Sequence, residues 1–493
     1  MSSEWPRVRL GDYCLKIGSG ATPKGGKSVY LDSGHIALIR SQNVYNDMFK
    51  PDGLAYITLD AANKLNNVEV QLGDILLNIT GDSVARVCLA PNEYLPARVN
   101  QHVAIIRPDP NEFDSRFLRY LLTSPEQQEL LIVIASAGAT RNALTKSHIE
   151  SFEVCKPDLA VQIWIANQLE SLDKKIQLNN QINQTLEQIA QALFKSWFVD
   201  FEPVRAKIAA LEEGGILEGA TLAAMTAISG KDTAALARLA RENPEGYAEL
   251  KATAELFPTA MHESEVGKIP EGWKLKPFGE FLSHTIGGDW GKDEPDEKHN
   301  SQVRIIRGTD IANIKNYQDR NVPTRFVEEK KLKSRNLIEG DIVIEVSGGS
   351  PTQPTGRSIF ITNEILKRLS LPVEPASFCR LFRPLTKEIG IVLGLHLDKI
   401  YQEGKTWLYQ NQSTGISNFQ TKTFLEKEMV VLAPEAVLAC FSSKISPLLQ
   451  VICSPQNIIL SQLRDTLLPK LLSGEITLPE AEAWVAQTEP QEV

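Results

Sequence analysis

Cysteine is sparse in this chain. The six present (Cys14, Cys88, Cys155, Cys379, Cys440 and Cys453) never fall at CxxC spacing. That excludes the usual thiolate zinc patterns and suits isolated buried thiols in a reducing cytosol. The seven histidines lie far apart, without the spacing of metal ligands. No Ser/His/Asp or Cys/His constellation is visible, and no Asn-Pro-Pro-Phe/Tyr element of an amino-methyltransferase occurs. The first residues, Met1-Ser2-Ser3-Glu4-Trp5-Pro6, lack the basic and apolar segments of a signal peptide. No apolar run reads as long enough to span a bilayer.

A surplus of positive charge is also missing, since the net charge is −9. Its distribution is uneven. Residues 1–157 carry 16 basic and 17 acidic side chains, and residues 268–434 carry 24 and 21. The acidity sits elsewhere: 9 basic against 16 acidic in 158–267, and 3 against 7 in 435–493. Two near-neutral segments can still present basic faces. An evenly solvated surface would give the same totals.

Glycine and proline are absent from 158 to 202. This predicts one helix of roughly 65–70 Å at 1.5 Å per residue. Leu169, Leu172, Ile176, Leu186, Leu193 and Trp197 recur near heptad spacing, with Asn179 and Asn183 in the seam. Ile182 and Ile189 widen the stripe. An ordinary long core helix is the plainer reading of the same pattern.

What the chain does have is itself, twice. Ile39-Arg40 recurs at Ile306-Arg307, Gly73-Asp74-Ile75 at Gly340-Asp341-Ile342, and Ser83 at Ser350, always 267 positions on. The unit is too long for a solenoid repeat, so each copy is expected to be a whole domain. Residues 7–156 mix short β-rich runs, such as 35–40, 74–79 and 103–106, with Gly/Pro turns and a helical stretch from Phe117 to Ile134. That is an α+β module. Residues 204–267 form an acidic, Ala/Glu/Leu-rich helical insertion. After Pro434 a second apolar stripe (Leu438, Phe441, Ile445, Leu448, Ile452, Ile459, Leu463, Leu467) contains Pro447 and Pro455, which predicts two or three kinked pieces. The two helical regions should pack together as an antiparallel pair.

The run Leu169 to Glu187, with Ala192-Leu193-Phe194-Lys195-Ser196-Trp197-Phe198-Val199-Asp200-Phe201, resembles the central conserved region of type I restriction–modification specificity subunits. Leu463-Arg464-Asp465 and Leu467 to Ile476 resemble their distal conserved region. Leu10-Gly11-Asp12, Gly20-Ala21-Thr22-Pro23 and Leu72-Gly73-Asp74-Ile75-Leu76 match the family's module openings. The second module has Gly287-Gly288-Asp289-Trp290 where a Gly-x-Thr-Pro opening is expected. The resemblance spans nearly the whole chain in order. It implies an α+β fold: two similar target-recognition domains separated by two long conserved helices packed as an antiparallel, coiled-coil-like pair. The expected segments are 1–157 and 268–434 (recognition domains), 158–203 (central helix), 204–267 (insertion), 435–476 (distal helices) and 477–493 (tail).

It further implies a cytoplasmic, non-catalytic subunit that reads an asymmetric bipartite site in double-stranded DNA. Its helices would set the spacing and dock two methyltransferase subunits, with motor-endonuclease subunits joining the full complex. No cofactor would belong to this chain; S-adenosylmethionine, ATP and Mg would sit on the partners. Leu172, Ile176, Leu186, Leu193, Trp197, Leu463 and Leu467 are the expected partner-binding residues.

Candidate DNA contacts fall in matched polar clusters. Arg40-Ser41-Gln42-Asn43 ends an apolar strand, and Arg307, Thr309 and Asp310 stand one repeat later; arginine can grip guanine, and Gln or Asn adenine. Thr80, Asp82 and Arg86 match Ser347, Ser350 and Arg357. Thr140 and Arg141 match Ser413 and Thr414. Lys24 and Lys27 are positioned for phosphates. Turn chemistry accounts for any one of these residues as well as DNA contact does; the clusters as groups favour contact. Trp5, Trp164 and Trp273 read as packing residues. Two rivals stay open: a nucleotide hydrolase using Lys27-Ser28 in a relaxed P-loop, which needs a helix starting there, and a DNA-binding regulator without a methyltransferase partner.

Overall fold

The computed structural model describes residues 5–46, 48–137, 142–349, 353–413 and 416–476; for Lys27, Ser28, Gln412, Ser413 and Ile416 only the backbone is described. The chain divides into two compact units, residues 1–177 with 459–493, and residues 178–458.

In the first unit, strands Cys14–Ser19, Val103–Pro108, Ile75–Asn78 and Val87–Leu89 form an antiparallel sheet in that order. A second sheet sets Ile36–Ile39 parallel to Ala97–Val99, with Ala55–Ile57 and Glu69–Val70 at its edges. Both faces of the first sheet are covered, which is why its strands read as continuous apolar runs rather than alternating ones. Ile75, Leu77, Ala104 and Ile106 face one core; Leu76, Val103 and Ile105 face the other. Arg7–Arg9 pairs with Glu153–Cys155. The helical stretch expected from Phe117 to Ile134 is two helices, Ser115–Thr123 and Pro125–Ser136. Pro125 forces Ser124 out of the helical region, to φ −63° and ψ 147°.

The second unit repeats the plan. Leu282–Gly287, Cys379–Pro384, Ile342–Glu345 and Ser358–Phe360 form the antiparallel sheet, and His299–Ile306 runs parallel to Val373–Pro375. Ile342, Ile344 and Phe382 face one core, and Val343 and Leu381 the other. The acidic insertion is four helices, Glu202–Glu212, Leu217–Ser229, Thr233–Glu242 and Pro244–Glu255. They enclose a small core of Ala224, Met225, Leu236 and Ala254.

The central helix, Leu159–Phe198, has 40 residues, about 60 Å. The distal region is two helices, Glu435–Ile452 and Gln456–Leu472, broken before Pro455. Leu169 and Leu172 bury with Leu460, Leu463, Leu467 and Leu471 in the first unit's core, where Arg464 Nη1 meets Asp173 Oδ1 at 2.9 Å. In the second unit, Asn179 and Asn180 bond Asn457, while further along Trp197 packs against Phe441 with ring centres 5.5 Å apart. The residue numbers descend on one helix as they rise on the other, so the pair is antiparallel. Asn179 sits in the seam as expected; Asn183 instead bonds the Tyr317 hydroxyl.

One expectation is corrected. Within residues 435–472 an 18-residue stretch with mean hydropathy 1.6 is apolar enough to cross a bilayer, by length and composition alone. That apolarity has another use: Leu438, Phe441, Ile445, Leu460, Leu463 and Leu467 are buried in the two protein cores.

Candidate nucleic-acid interface

Strand direction brings the predicted loops together at one rim of each module. In the first, Cys14–Ser19, Ile36–Ile39, Ile75–Asn78 and Ala97–Val99 all end there, and Val103–Pro108 starts there, as the pairs Ser19↔Ala104, Ile39↔Val99 and Asn78↔Val103 require. The rim therefore carries loops 20–24, 40–43, 79–82 and 100–102. Gly81 N–H donates to Asn142 O at 3.2 Å, adding the third predicted cluster. In the second module Gly287↔Arg380, Ile306↔Pro375 and Glu345↔Cys379 gather loops 288–291, 307–310, 346–349 and 376–378. The hairpin Gln410–Ser413/Ile416–Phe419 joins them through Ser347↔Asn418.

The glycine of the second opening, though not its Thr-Pro, is present one residue later. A Cβ on Gly20 would lie 1.7 Å from Val99 O, and one on Gly288 would lie 2.0 Å from Pro375 O. Val99 and Pro375 are themselves equivalent, each the last partner of the parallel strand pair. Only glycine lets the chain pass so close to that carbonyl.

The arginines are not the free reading heads that the sequence suggests. Arg40 N–H donates to Asn43 Oδ1 at 3.1 Å, and its guanidinium reaches Gly53 O. Arg307 N–H donates to Asp310 Oδ2 at 3.0 Å; its Nε and Nη2 grip the same carboxylate at 2.8 and 2.7 Å, and Nη2 also reaches Asn321 O. Asn43 and Asp310 are fully buried. These four residues hold the loop in shape, and Asn43 and Asp310 are withdrawn as solvent-facing contacts. Arg357 is also corrected, since its Nε and Nη2 are both spent on buried Glu345, at 2.9 and 2.5 Å.

Several predicted residues do face outward. Lys24, Gln42, Asp82 and Thr309 are exposed, and Ser41 and Ser347 half-buried. Arg86 stacks over Tyr45, 4.6 Å from the ring centre, beside Lys50 at 4.2 Å. Thr80 Oγ1 meets His102 Nδ1 at 2.6 Å. Thr140, Arg141, Ser350 and Thr414 lie outside the described residues, and nothing is said of the Lys27 and Ser413 side chains. The relaxed P-loop forms a four-residue 3-10 turn, Gly26–Val29, not the helix that a phosphate cradle needs.

Sequence reasoning missed loop 100–102 and its counterpart. Gln101 is exposed, and its Nε2 bonds His102 Nε2 at 2.9 Å. Phe378, at the position of His102, is 66% exposed. An unusually exposed aromatic is invisible in sequence, where Phe reads as core.

The expected partner-binding residues separate into two groups. Leu172, Trp197, Leu463 and Leu467 are buried within this chain, so they build the helix pair rather than an outer docking face. Ile176, Leu186 and Leu193 are half-buried. Besides Ile163 near its start, the large apolar residues exposed on the central helix are Leu178, Ile182 and Ile189, these three spaced four and seven apart on one stripe. Among the described residues, no group of His, Cys, Asp and Glu is arranged to hold a metal ion.

Comparison with known proteins agrees with this architecture. Residues 2–188 match the family model described as the type I restriction modification DNA specificity domain. The chain is 33% identical to the type I restriction enzyme HindI specificity subunit of Haemophilus influenzae over 96% of its own length and 100% of that protein's. It is 24% identical to the MjaIX specificity subunit of Methanocaldococcus jannaschii, over 94% and 92%. Among solved structures it shares its fold with the type I restriction–modification S subunit from M. genitalium, at TM-score 0.50 and 16% identity, covering 96% and 97% of the two chains. With its doubled module, its antiparallel helix pair and a relative 33% identical over 96% of its length, the chain belongs to the type I restriction enzyme specificity subunits.

Proposed function

We propose that this chain selects the DNA sequence for a type I restriction–modification enzyme, each module reading one half of a bipartite site. The observation that carries this is the pair of equivalent loop rims, built on the same strand ends but furnished with different side chains. Identical scaffolds with unlike rims suit two unlike half-sites, hence an asymmetric target. Phosphate contacts would position each rim and base-edge contacts would specify. Among the described residues, Lys24, Gln42, Asp82 and Thr309 are exposed sequence-predicted candidates for it, with Thr80 and Arg86 half-buried beside them.

The exposed stripe Leu178, Ile182 and Ile189 supports docking of methyltransferase subunits, because apolar residues grouped on a helix face are covered in working assemblies. In this reading the chain is non-catalytic and binds no cofactor of its own. S-adenosylmethionine, ATP and Mg are used by methyltransferase and motor-endonuclease partners in the cytoplasm. The short turn at Lys27-Ser28 weighs against the nucleotide-hydrolase alternative.

The test is single-molecule methylome sequencing of a host expressing this chain with its methyltransferase. An asymmetric bipartite motif is expected. Replacing residues 7–156 by another member's first module should change one half of that motif. A change in both halves, or a continuous motif, overturns the two-module reading.

A further inference from the structure

The two rims differ most at one equivalent place. His102 O accepts from Ile79 N–H at 3.0 Å, and Phe378 O accepts from Val346 N–H at 2.9 Å. Ile79 and Val346 are 267 apart, and the following strands begin in the same register, Val103↔Asn78 and Cys379↔Glu345. His102 and Phe378 therefore occupy the same backbone position.

Around His102 the first module is hydrogen-bonded throughout. The Thr22 hydroxyl donates to Gln101 Oε1, Gln101 Nε2 bonds His102 Nε2, and His102 Nδ1 bonds Thr80 Oγ1. With Gln101 donating, His102 Nε2 accepts and its Nδ1–H donates to Thr80, a polarity assigned from the network. The Thr80 hydroxyl hydrogen is then free to donate outward.

The second module replaces this chain with apolar surface. Trp290, two residues after Gly288 as Thr22 is two after Gly20, is 36% exposed, and the Arg325 guanidinium stacks 4.2 Å from its centre. Phe378 is 66% exposed with its carbonyl pinned also by Ser347 N–H. A benzyl group on a backbone pinned at a loop tip, outside every core, has no packing role among the described residues. With no hydrogen-bonding group of its own, the ring is best matched by an apolar feature of a partner. In the grooves of duplex DNA that feature is the thymine 5-methyl group, which protrudes into the major groove.

We propose that Phe378 is a specificity-determining residue of the second module and reads a thymine methyl in that module's half-site, while the equivalent Gln101–His102–Thr80 chain reads by hydrogen bonds. This rests on the chain's reading as a DNA specificity subunit.

The test uses the assembled methyltransferase complex and duplexes carrying its site, with thymines replaced singly by deoxyuridine, which differs only by the methyl group. One substitution, in one half-site, should weaken wild-type binding about three- to ten-fold. Phe378→Ala should bind that uridine duplex and the thymine duplex equally, while responding like wild type to changes in the other half-site. The second readout shows that the variant is folded. Phe378→Leu, which keeps an apolar side chain, should retain part of the discrimination. A half-site without thymine, indifference of wild type to every uridine, or uridine sensitivity persisting in Phe378→Ala overturns the proposal. None of these affects the wild-type motif, whose own failure to be bipartite would instead overturn the reading beneath it.

Discussion

Arg107 grips Asp74 through two parallel hydrogen bonds, Nε to Oδ1 at 2.6 Å and Nη2 to Oδ2 at 2.8 Å. Arg383 holds Asp341 in the same way at 2.8 and 2.8 Å. Each carboxylate is buried and also accepts a backbone amide from the turn before it, Gln71 N–H at 2.7 Å and Ile338 N–H at 2.8 Å. The arginine's remaining reach ties down Glu69 O in one module and Asn336 O in the other. One clamp thus fixes the start of the central strand in both copies.

Breaking that clamp from one side leaves a charge without its partner, at a cost of about 3–5 kcal/mol. Asp74→Ala should lower the melting transition of the first unit and abolish discrimination in one half-site alone. Asp341→Ala should do so in the other. Calorimetry of the purified chain, with half-site binding assays, checks both outcomes.

Arg307→Ala should behave as a scaffold mutation. Asp310 would keep the Arg307 backbone amide but lose both guanidinium bonds, costing about 1–3 kcal/mol. The melting temperature should fall while the salt slope of DNA binding stays the same, since no phosphate contact is removed. A flatter salt slope with an unchanged melt would return Arg307 to the reading surface.

Arg98 and Glu374 stand at the same point of the parallel strand pair, opposite Leu38 and Ile305. Arg98 is bonded to Ala62 O and Asn66 Oδ1. Glu374 is fully buried with neither oxygen bonded. Burial pushes its carboxyl up to about 7; Asp289 adds to this, and Arg335 and Lys331 oppose it. A raised acid favours folding below its unfolded pKa, near 4.5, and that contribution is lost as pH rises through the folded value. Glu374→Gln should therefore stabilise the second unit by about 1–3 kcal/mol at pH 8 and lose most of that advantage at pH 5. Urea melts at the two pH values read the difference directly.

Ile182 is 42% exposed on the central helix, so Ile182→Asp should leave the chain's own melt within about 0.5 kcal/mol of wild type. It should nevertheless weaken assembly with the methyltransferase. Native mass spectrometry showing an intact complex would remove this stripe from the docking surface.

The duplication and the long helix were legible because each leaves a periodic mark. The offset of 267 links Ile39 to Ile306 and still links Ile79 to Val346. It then drifts: Leu89 and Phe360 pair at equivalent registers 271 apart, and Arg107 and Arg383 do so 276 apart. Extra residues before Ser358 and the helix Asn363–Leu369 account for the shift, so the arginine half of the clamp was hidden while Asp74 was visible. The scaffold bonds of Arg40 and Arg307 were hidden for a different reason. An arginine at a strand end looks free in sequence, because the carbonyls that hold it, Gly53 O and Asn321 O, carry no residue signature. Exposure of Phe378 was likewise unreadable, since burial belongs to the fold.

The first unit's core is completed from far away. Leu460, Leu463, Leu467 and Leu471 bury beside Leu10, Phe117 and Leu169, although the segment 178–458 separates them in the chain. On a ribosome adding about 5–20 residues per second, that segment takes roughly 15–55 s to appear. Throughout this time Leu169 and Leu172 have no distal helix to cover them. The module made first is the one finished last, so a nascent chain must either be shielded by a chaperone over that face or wait, incompletely folded, for its own C-terminal helix to arrive.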